Sequence, residues 1–250
     1  MSVEEIKIKP FDFDMMPLSC TLIAIGSPGS GKTTLIENIV YYKKHLYPTA
    51  RVFICNEGGY KKLCKIFGSL FVSNNYNEDE HKNAIIGQKK RSMIHDGNNP
   101  AKFSVIIADD LNQKFLRSNL MTSVHKVGTQ HWNCLSLVGT QCAFDCRPEI
   151  RSSVSYVALF RCVDENEKKK LYTNFGGICG SYEKFCSLLD NITGDHRCMI
   201  IKKMSQSNNI EDNIFWYETK VMKEWKFGCT EFRKWNTDRY NVNYVEKFDI

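Results

Sequence analysis

The chain has 250 residues, 42% apolar and 25% charged. This suits one globular domain, or one domain with a short appendage, and excludes a disordered or fibrous chain. A net charge of +6 permits contact with a polyanion without requiring it. Eleven scattered cysteines, an odd number with no CxxC pair, point to reduced thiols rather than a disulfide framework. Cys142 and Cys146 stand four apart, but no second pair completes a zinc spacing.

The first residues mix Glu4, Glu5, Lys7 and Lys9 without the pattern of a secretory signal. No apolar run approaches the ~20 residues of a membrane span, so no transmembrane segment is expected. A lead-in anchored by Phe11-Asp12-Phe13 extends to about residue 19. Residues 21–25 read as a buried strand and 31–44 as a helix with Leu35, Ile39 and Val40 on one face. Residues 51–55 form a second strand, and 77–95 a polar helix carrying Lys89-Lys90-Arg91. Strands follow at 104–109, 135–139 and 155–160, with a helix over 114–124 between the first two. Helices are expected over 164–175, with Asp164 as its cap, and over 181–189. Beyond Gly194 come a strand at 198–201, a polar loop at 205–213, an edge strand at 214–219 and a short helix at 230–235. Trp216, Trp225 and Trp235 lie here, and such side chains need somewhere to pack. Short apolar strands alternating with helices imply an α/β fold with a mostly parallel central sheet flanked by helices.

Gly26-Ser27-Pro28-Gly29-Ser30-Gly31-Lys32-Thr33 matches the phosphate-binding loop pattern between a strand and a helix. Its glycines let successive backbone N–H groups point at phosphate oxygens, and the helix N-terminus adds partial positive charge. Lys32 is placed to reach the β- and γ-phosphates, and Thr33 to offer its hydroxyl to Mg²⁺; Thr34 completes the nucleotide-binding segment. Val105-Ile106-Ile107-Ala108-Asp109-Asp110 is an apolar strand ending in two acids. Asp109 is assigned to Mg²⁺ and Asp110 to polarising the attacking water. The pair is neither the DxxG of GTP switches nor followed by NKxD, which favours ATP over GTP.

The strand at 135–139 leads into Thr140 and Gln141, of which Gln141 is preferred as the group that reads the γ-phosphate, with Thr140 the alternative. Arg151 is the candidate arginine finger, serving a neighbouring subunit's site, and Arg147 the reserve. The clusters Lys89-Lys90-Arg91, Lys168-Lys169-Lys170 and Lys202-Lys203 read first as solvated ends of elements.

In this order, the phosphate loop, the Asp109-Asp110 pair, His125, the Gln141 strand tip and the Pro148-Glu149-Ile150-Arg151 segment resemble the packaging ATPases of poxviruses and other nucleocytoplasmic large DNA viruses, of the FtsK–HerA superfamily. The resemblance covers roughly residues 15–200. It implies an additional-strand, RecA/HerA-like P-loop NTPase core with the phosphate-loop strand central. It also implies ATP and Mg²⁺ as ligands, and a homo-oligomeric ring that hydrolyses ATP to thread double-stranded DNA into a capsid. Cellular relatives often carry Glu where this chain has Asp110. The expected organisation is an ATPase core over residues 1–200 and a C-terminal extension, 201–250, packed on it. Partners beyond DNA would be a capsid or inner-membrane component, and the expected location is the host cytoplasm at assembly sites, and the virion. Lys89-Lys90-Arg91 and Lys126 are the DNA contacts considered. The alternatives are a P-loop small-molecule kinase, a non-hydrolysing assembly factor, and a non-packaging translocase or helicase.

Overall fold

The computed structural model describes residues 7–95 and 99–240. The parts of the expected lead-in and C-terminal extension at 1–6 and 241–250 lie outside the described residues. Nine strands form one sheet: β1 Lys9–Pro10, β2 Thr21–Ile25, β3 Thr49–Ile54, β4 Val72–Ser73, β5 Ser104–Asp109, β6 Cys134–Thr140, β7 Tyr156–Leu159, β8 Arg197–Lys202 and β9 Ile214–Glu218. Their order is β1-β9-β8-β7-β2-β6-β5-β3-β4. Every pairing is parallel except those of β8 with β7 and β9. β2 is central, and β6 is inserted between it and β5, which is the additional-strand arrangement expected.

The central strands β2, β5, β6 and β7 are buried at every residue, because helices cover both faces. Their unbroken apolar character follows from that double cover. One face carries α1, Lys32–Lys43, and α2, Glu57–Phe67. The other carries the Glu165–Phe175 and Tyr182–Ile192 helices, whose Leu171, Phe185 and Leu189 pack with Ile23, Val138 and Met199. α3, Glu78–Ile94, follows the short strand β4 and starts from the Asn77 cap.

Several expectations need correction. The helix expected over 114–124 is divided into Gln113–Leu116 and Asn119–Ser123, because Ser118 caps a new start by accepting from Met121 N. A π-helical turn, Val124–Gly128, then carries His125 into the interior. The helices not anticipated include α2, capped by Asn56, and Pro148–Ser153, begun by proline at its first turn. β9 is not the edge strand, since β1 pairs along it and Phe11 N donates to Trp216 O at 2.7 Å. The expected loop at 205–213 ends in a helical turn, Ile210–Asn213.

Strand β8 runs across residue 200, and the chain after it adds β9 to the sheet before crossing the helices. From β9, residues 219–229 form a strap that crosses the outside of α1 and α2. The Asn38 side chain donates to Lys220 O at 2.6 Å and accepts from Lys220 N at 2.8 Å. Farther on, Phe227 N donates to Ile66 O and Cys229 N to Pro48 O. Phe227 is fully buried, and Trp225 packs edge-on against Tyr41. The strap explains why α1 buries Glu37 and Asn38 as well as its expected face of Leu35, Ile39 and Val40; Ile36 is buried against the sheet near Gly139. Trp235 differs from the other two tryptophans: it is half exposed, with the Arg239 guanidinium over its ring.

His81 and His125 are buried together on the opposite face. His81 Nδ1 lies 2.7 Å from Tyr76 Oη. Burial, with Arg51 nearby, holds His81 down to about 4; burial, with His81 nearby, holds His125 down to about 3. An unfolded chain takes up these protons near pH 6.5, so their contribution is complete above that pH and is lost as pH falls toward 4 and below. Each site should cost about 1.4 kcal/mol per pH unit in that window. Urea unfolding at pH 6.5 and pH 5 should therefore show wild type losing about 2 kcal/mol more than His125→Leu.

Candidate nucleotide site

The phosphate loop leaves the end of β2 and returns into α1 through Gly29 and Gly31, at φ +75° and +110°, where a β-carbon would be strained. Gly26 N donates to Thr140 O at 3.2 Å, which ties the start of the loop to the tip of β6. Ser27, Pro28 and Gly29 are exposed along the crest, and Thr34 is half-buried in the first turn of α1. Lys32 is buried. Its ammonium donates to Gly26 O at 2.9 Å and Ser27 O at 3.1 Å, and lies 3.9 Å from Asp110 Oδ1.

Asp109 ends β5 and is buried; Thr33 Oγ1 donates to its Oδ2 at 2.5 Å. Its Oδ1 has no hydrogen-bond partner among the described residues. Burial pushes the Asp109 carboxyl up to about 6, against the Thr33 hydrogen bond that favours its charged form. A buried carboxylate oxygen without a partner, beside a threonine hydroxyl at the start of a phosphate-loop helix, is a hard-oxygen donor set that fits Mg²⁺. Asp110 has the left-handed φ of +52°, and its carboxylate turns toward Lys32 and Asn56, whose Nδ2 donates to Oδ2 at 3.3 Å. The two acids thus diverge, each with its own partners.

Sequence reasoning passed over three residues here. Asn56 caps α2 by accepting from Gly59 N at 2.7 Å and reaches Asp110 with its amide nitrogen. Its position, between a strand and an acidic helix start, is a readable cap signal. Gly139 pairs with Asp109 across β6 and β5, and a β-carbon there would stand 1.8 Å from Asp109 Oδ1. A glycine inside an apolar strand is the trace of such close approach. Arg161, exposed just beyond β7, lines with Gly26, Ser27, Pro28 and Gln141 a pocket of about 440 Å³. Nothing in its local sequence marks it; only the sheet order brings it to the loop.

Thr140 and Gln141 are separated in use. The buried Thr140 hydroxyl is engaged by the Asp145 carboxylate within the turn that follows β6, whereas Gln141 is exposed in the pocket beside the loop. Arg151 lies in the Pro148–Ser153 helix, where its Nε donates to Asn174 Oδ1 at 2.9 Å and its Nη1 to Cys146 O at 2.6 Å. Its guanidinium stands over Phe144. Arg147 Nη1 donates to Asn119 Oδ1 at 2.8 Å. Neither arginine lines its own chain's pocket beside the loop.

The close fit at Gly139 generates a prediction. Gly139→Ala should displace the Asp109 carboxylate, lowering stability by about 1–3 kcal/mol as overpacking does. It should also weaken the preference for Mg²⁺-nucleotide over nucleotide in EDTA, measured by titration of a fluorescent ATP analogue. Equal preference in wild type and variant would show that Asp109 is not held by this gap.

No protein-family model matches the chain. It is 30% identical over 255 residues to protein 075L of Invertebrate iridescent virus 6, covering 96% of this chain and 97% of the relative. It is 31% identical over 245 residues to protein 088R of Invertebrate iridescent virus 3, covering 91% and 92%. Among solved structures, the genome packaging NTPase B204 of Sulfolobus turreted icosahedral virus 2, in complex with ATP-γS, superposes with a TM-score of 0.59 at 17% identity, covering 82% of this chain and all of B204. Identity of 30–31% along nearly the whole chain, with the phosphate loop and paired acids on an additional-strand core of the same fold as B204, leads to one assignment: the chain belongs to the large-DNA-virus protein family that includes 075L and 088R.

Proposed function

We propose that this protein is an ATP-driven motor that moves double-stranded DNA into a viral capsid, working as a homo-oligomeric ring. The observation that carries the reading is the convergence of Lys32, Thr33, Asp109 and Asp110 at one end of β2 and β5, with Gln141 in the pocket beside them. B204, a genome packaging NTPase by description, shares the fold and supports the same direction.

The chemistry follows from the chain's own groups. Loop N–H groups and the α1 N-terminus hold the phosphates, and Lys32 exchanges its loop carbonyls for phosphate oxygens. Thr33 and Asp109 would hold Mg²⁺, which supplies positive charge to the phosphate oxygens when bound. Asp110, oriented by Asn56 and close to Lys32, accepts a proton from the attacking water. Gln141 hydrogen-bonds the γ-phosphate and loses that partner after hydrolysis. Arg151 of an adjoining subunit completes the charge, releasing Asn174 and Cys146 O as it does so. Host cytoplasm and virion are the places where such a motor acts.

Steady-state hydrolysis with and without long duplex DNA tests this. Duplex DNA should stimulate wild type. Lys32→Ala should lose nucleotide binding, and Asp110→Asn should lose hydrolysis while still binding. Asn56→Ala should lower kcat about 10–100-fold with KM little changed, as expected for a positioning group. Arg151→Ala should lose about 10³-fold in kcat; if Arg161→Ala does so instead, the assisting arginine is supplied within the same chain. Robust hydrolysis that is indifferent to DNA, with phosphate passed to a small acceptor, would make the protein a kinase. Strand displacement would make it a helicase.

A further inference from the structure

The fold engages several members of the basic clusters that stand out in the sequence. Lys89 lies over the Trp132 ring, and Arg91 is half-buried and donates to Thr49. Lys168 pairs with Asp190, Lys170 with Glu167, and Lys203 donates to Arg151 O. Lys90, Lys126 and Lys169 remain exposed singly, whereas two rows that no sequence run reveals bring exposed lysines together. Lys61 and Lys65 stand one turn apart on the outer face of α2, and Lys220, Lys223 and Lys226 recur every third residue along the strap; all five are exposed, and of them Lys61 pairs with Glu57 at 2.6 Å. Between α2 and the strap lies a cleft of about 690 Å³, lined by Lys62, Lys65, Lys223 and Lys226 against only Glu37 and Glu224. Glu37 is buried and paired with Lys62, so it adds little negative field.

We propose that this cleft holds the phosphodiester backbone of duplex DNA. The proposal rests on the motor reading and names its substrate surface. Lysines on flexible stems are point charges that suit backbone phosphates and carry no base-reading geometry. The one aromatic ring among the described residues lining the cleft, Trp225, is partly buried, with its indole N–H facing Glu37 Oε1 at 3.4 Å and its ring edge-on to Tyr41, which suits it poorly as a stacking platform for an unpaired base. That favours a duplex over a single strand. The two helices beneath the cleft both begin at the nucleotide site, α1 with Lys32 and Thr33, and α2 with the Asn56 cap that bonds Asp110. DNA gripped here bears on both.

The test measures duplex affinity across a salt series, and DNA-stimulated hydrolysis, for the full chain. Lys65→Gln/Lys223→Gln/Lys226→Gln should bind duplex about 10-fold or more weakly near 150 mM salt. Its slope of log K against log salt should fall by about 2–3, at roughly 0.9 per lost phosphate contact. DNA-free hydrolysis should stay at the wild-type level, which also reports that the variant folds. Lys89→Gln/Lys90→Gln/Lys126→Gln should keep the wild-type slope. If the cleft variant binds as wild type does, the assignment of the cleft fails while the motor reading stands on wild-type stimulation. If wild type neither binds duplex nor responds to it, both fail. Loss of binding to phosphatidylserine vesicles with duplex binding intact would make the cleft a membrane surface and overturn the proposal.

Discussion

The Asp109 carboxylate fills the space that any side chain on Gly139 would need, and much of the site is arranged around that fit. The register of β5 against β6 opposes these two residues, and the register of β6 against β2 sets Thr140 beside Ile25. The same three strands therefore deliver an unpartnered carboxylate oxygen and the phosphate loop to one point, where α1 adds the Thr33 hydroxyl. A shift of one residue in either register would turn Asp109 to the other face of the sheet. With these strands buried and apolar on both faces, size selects the register: only a glycine opposite Asp109 leaves room for its carboxylate.

Around this point the two acids have different environments. Asp109 is enclosed, and its burial makes a compensating cation favourable. Asp110 turns away through a left-handed backbone step to meet Lys32 and Asn56. Adjacent carboxylates that would repel on a regular strand are separated by that step. Asn56 then links the acid to the first turn of α2, a helix whose far side faces the strap.

The C-terminal strap changes what α1 is. A phosphate-loop helix on the surface would show one apolar stripe and one polar face. Here it is covered from both sides, and its polar residues Glu37 and Asn38 become anchors for the strap and for Lys62. Buried polar groups of this kind stabilise only when satisfied, and the Asn38 amide finds backbone partners at both ends. The tryptophan-bearing segment is thus part of the framework of the nucleotide site, and its outer surface carries the largest exposed run of lysines described above.

The sequence alone determined the phosphate loop, the acidic strand and the parallel α/β architecture. Those features rest on local rules: glycines where backbone must approach phosphate, apolar runs where strands are buried twice, and carboxylates at a strand tip. It also pointed to the family, through the order of Gly26 to Thr33, Asp109-Asp110, His125, Gln141 and Arg151. Only the tertiary structure decided which of these groups meet. Asn56 reaches Asp110 across 54 residues of chain, Arg161 arrives beside the loop through the strand order β7-β2-β6, and Asp145 engages the Thr140 hydroxyl while Gln141 stays exposed beside the loop. The lysine rows of α2 and the strap are more than 150 residues apart in sequence and adjacent in space, so no window of sequence contains their pattern. Local chemistry is written in neighbouring residues, whereas a site assembled across a sheet depends on registers and crossings that the chain reveals only when folded.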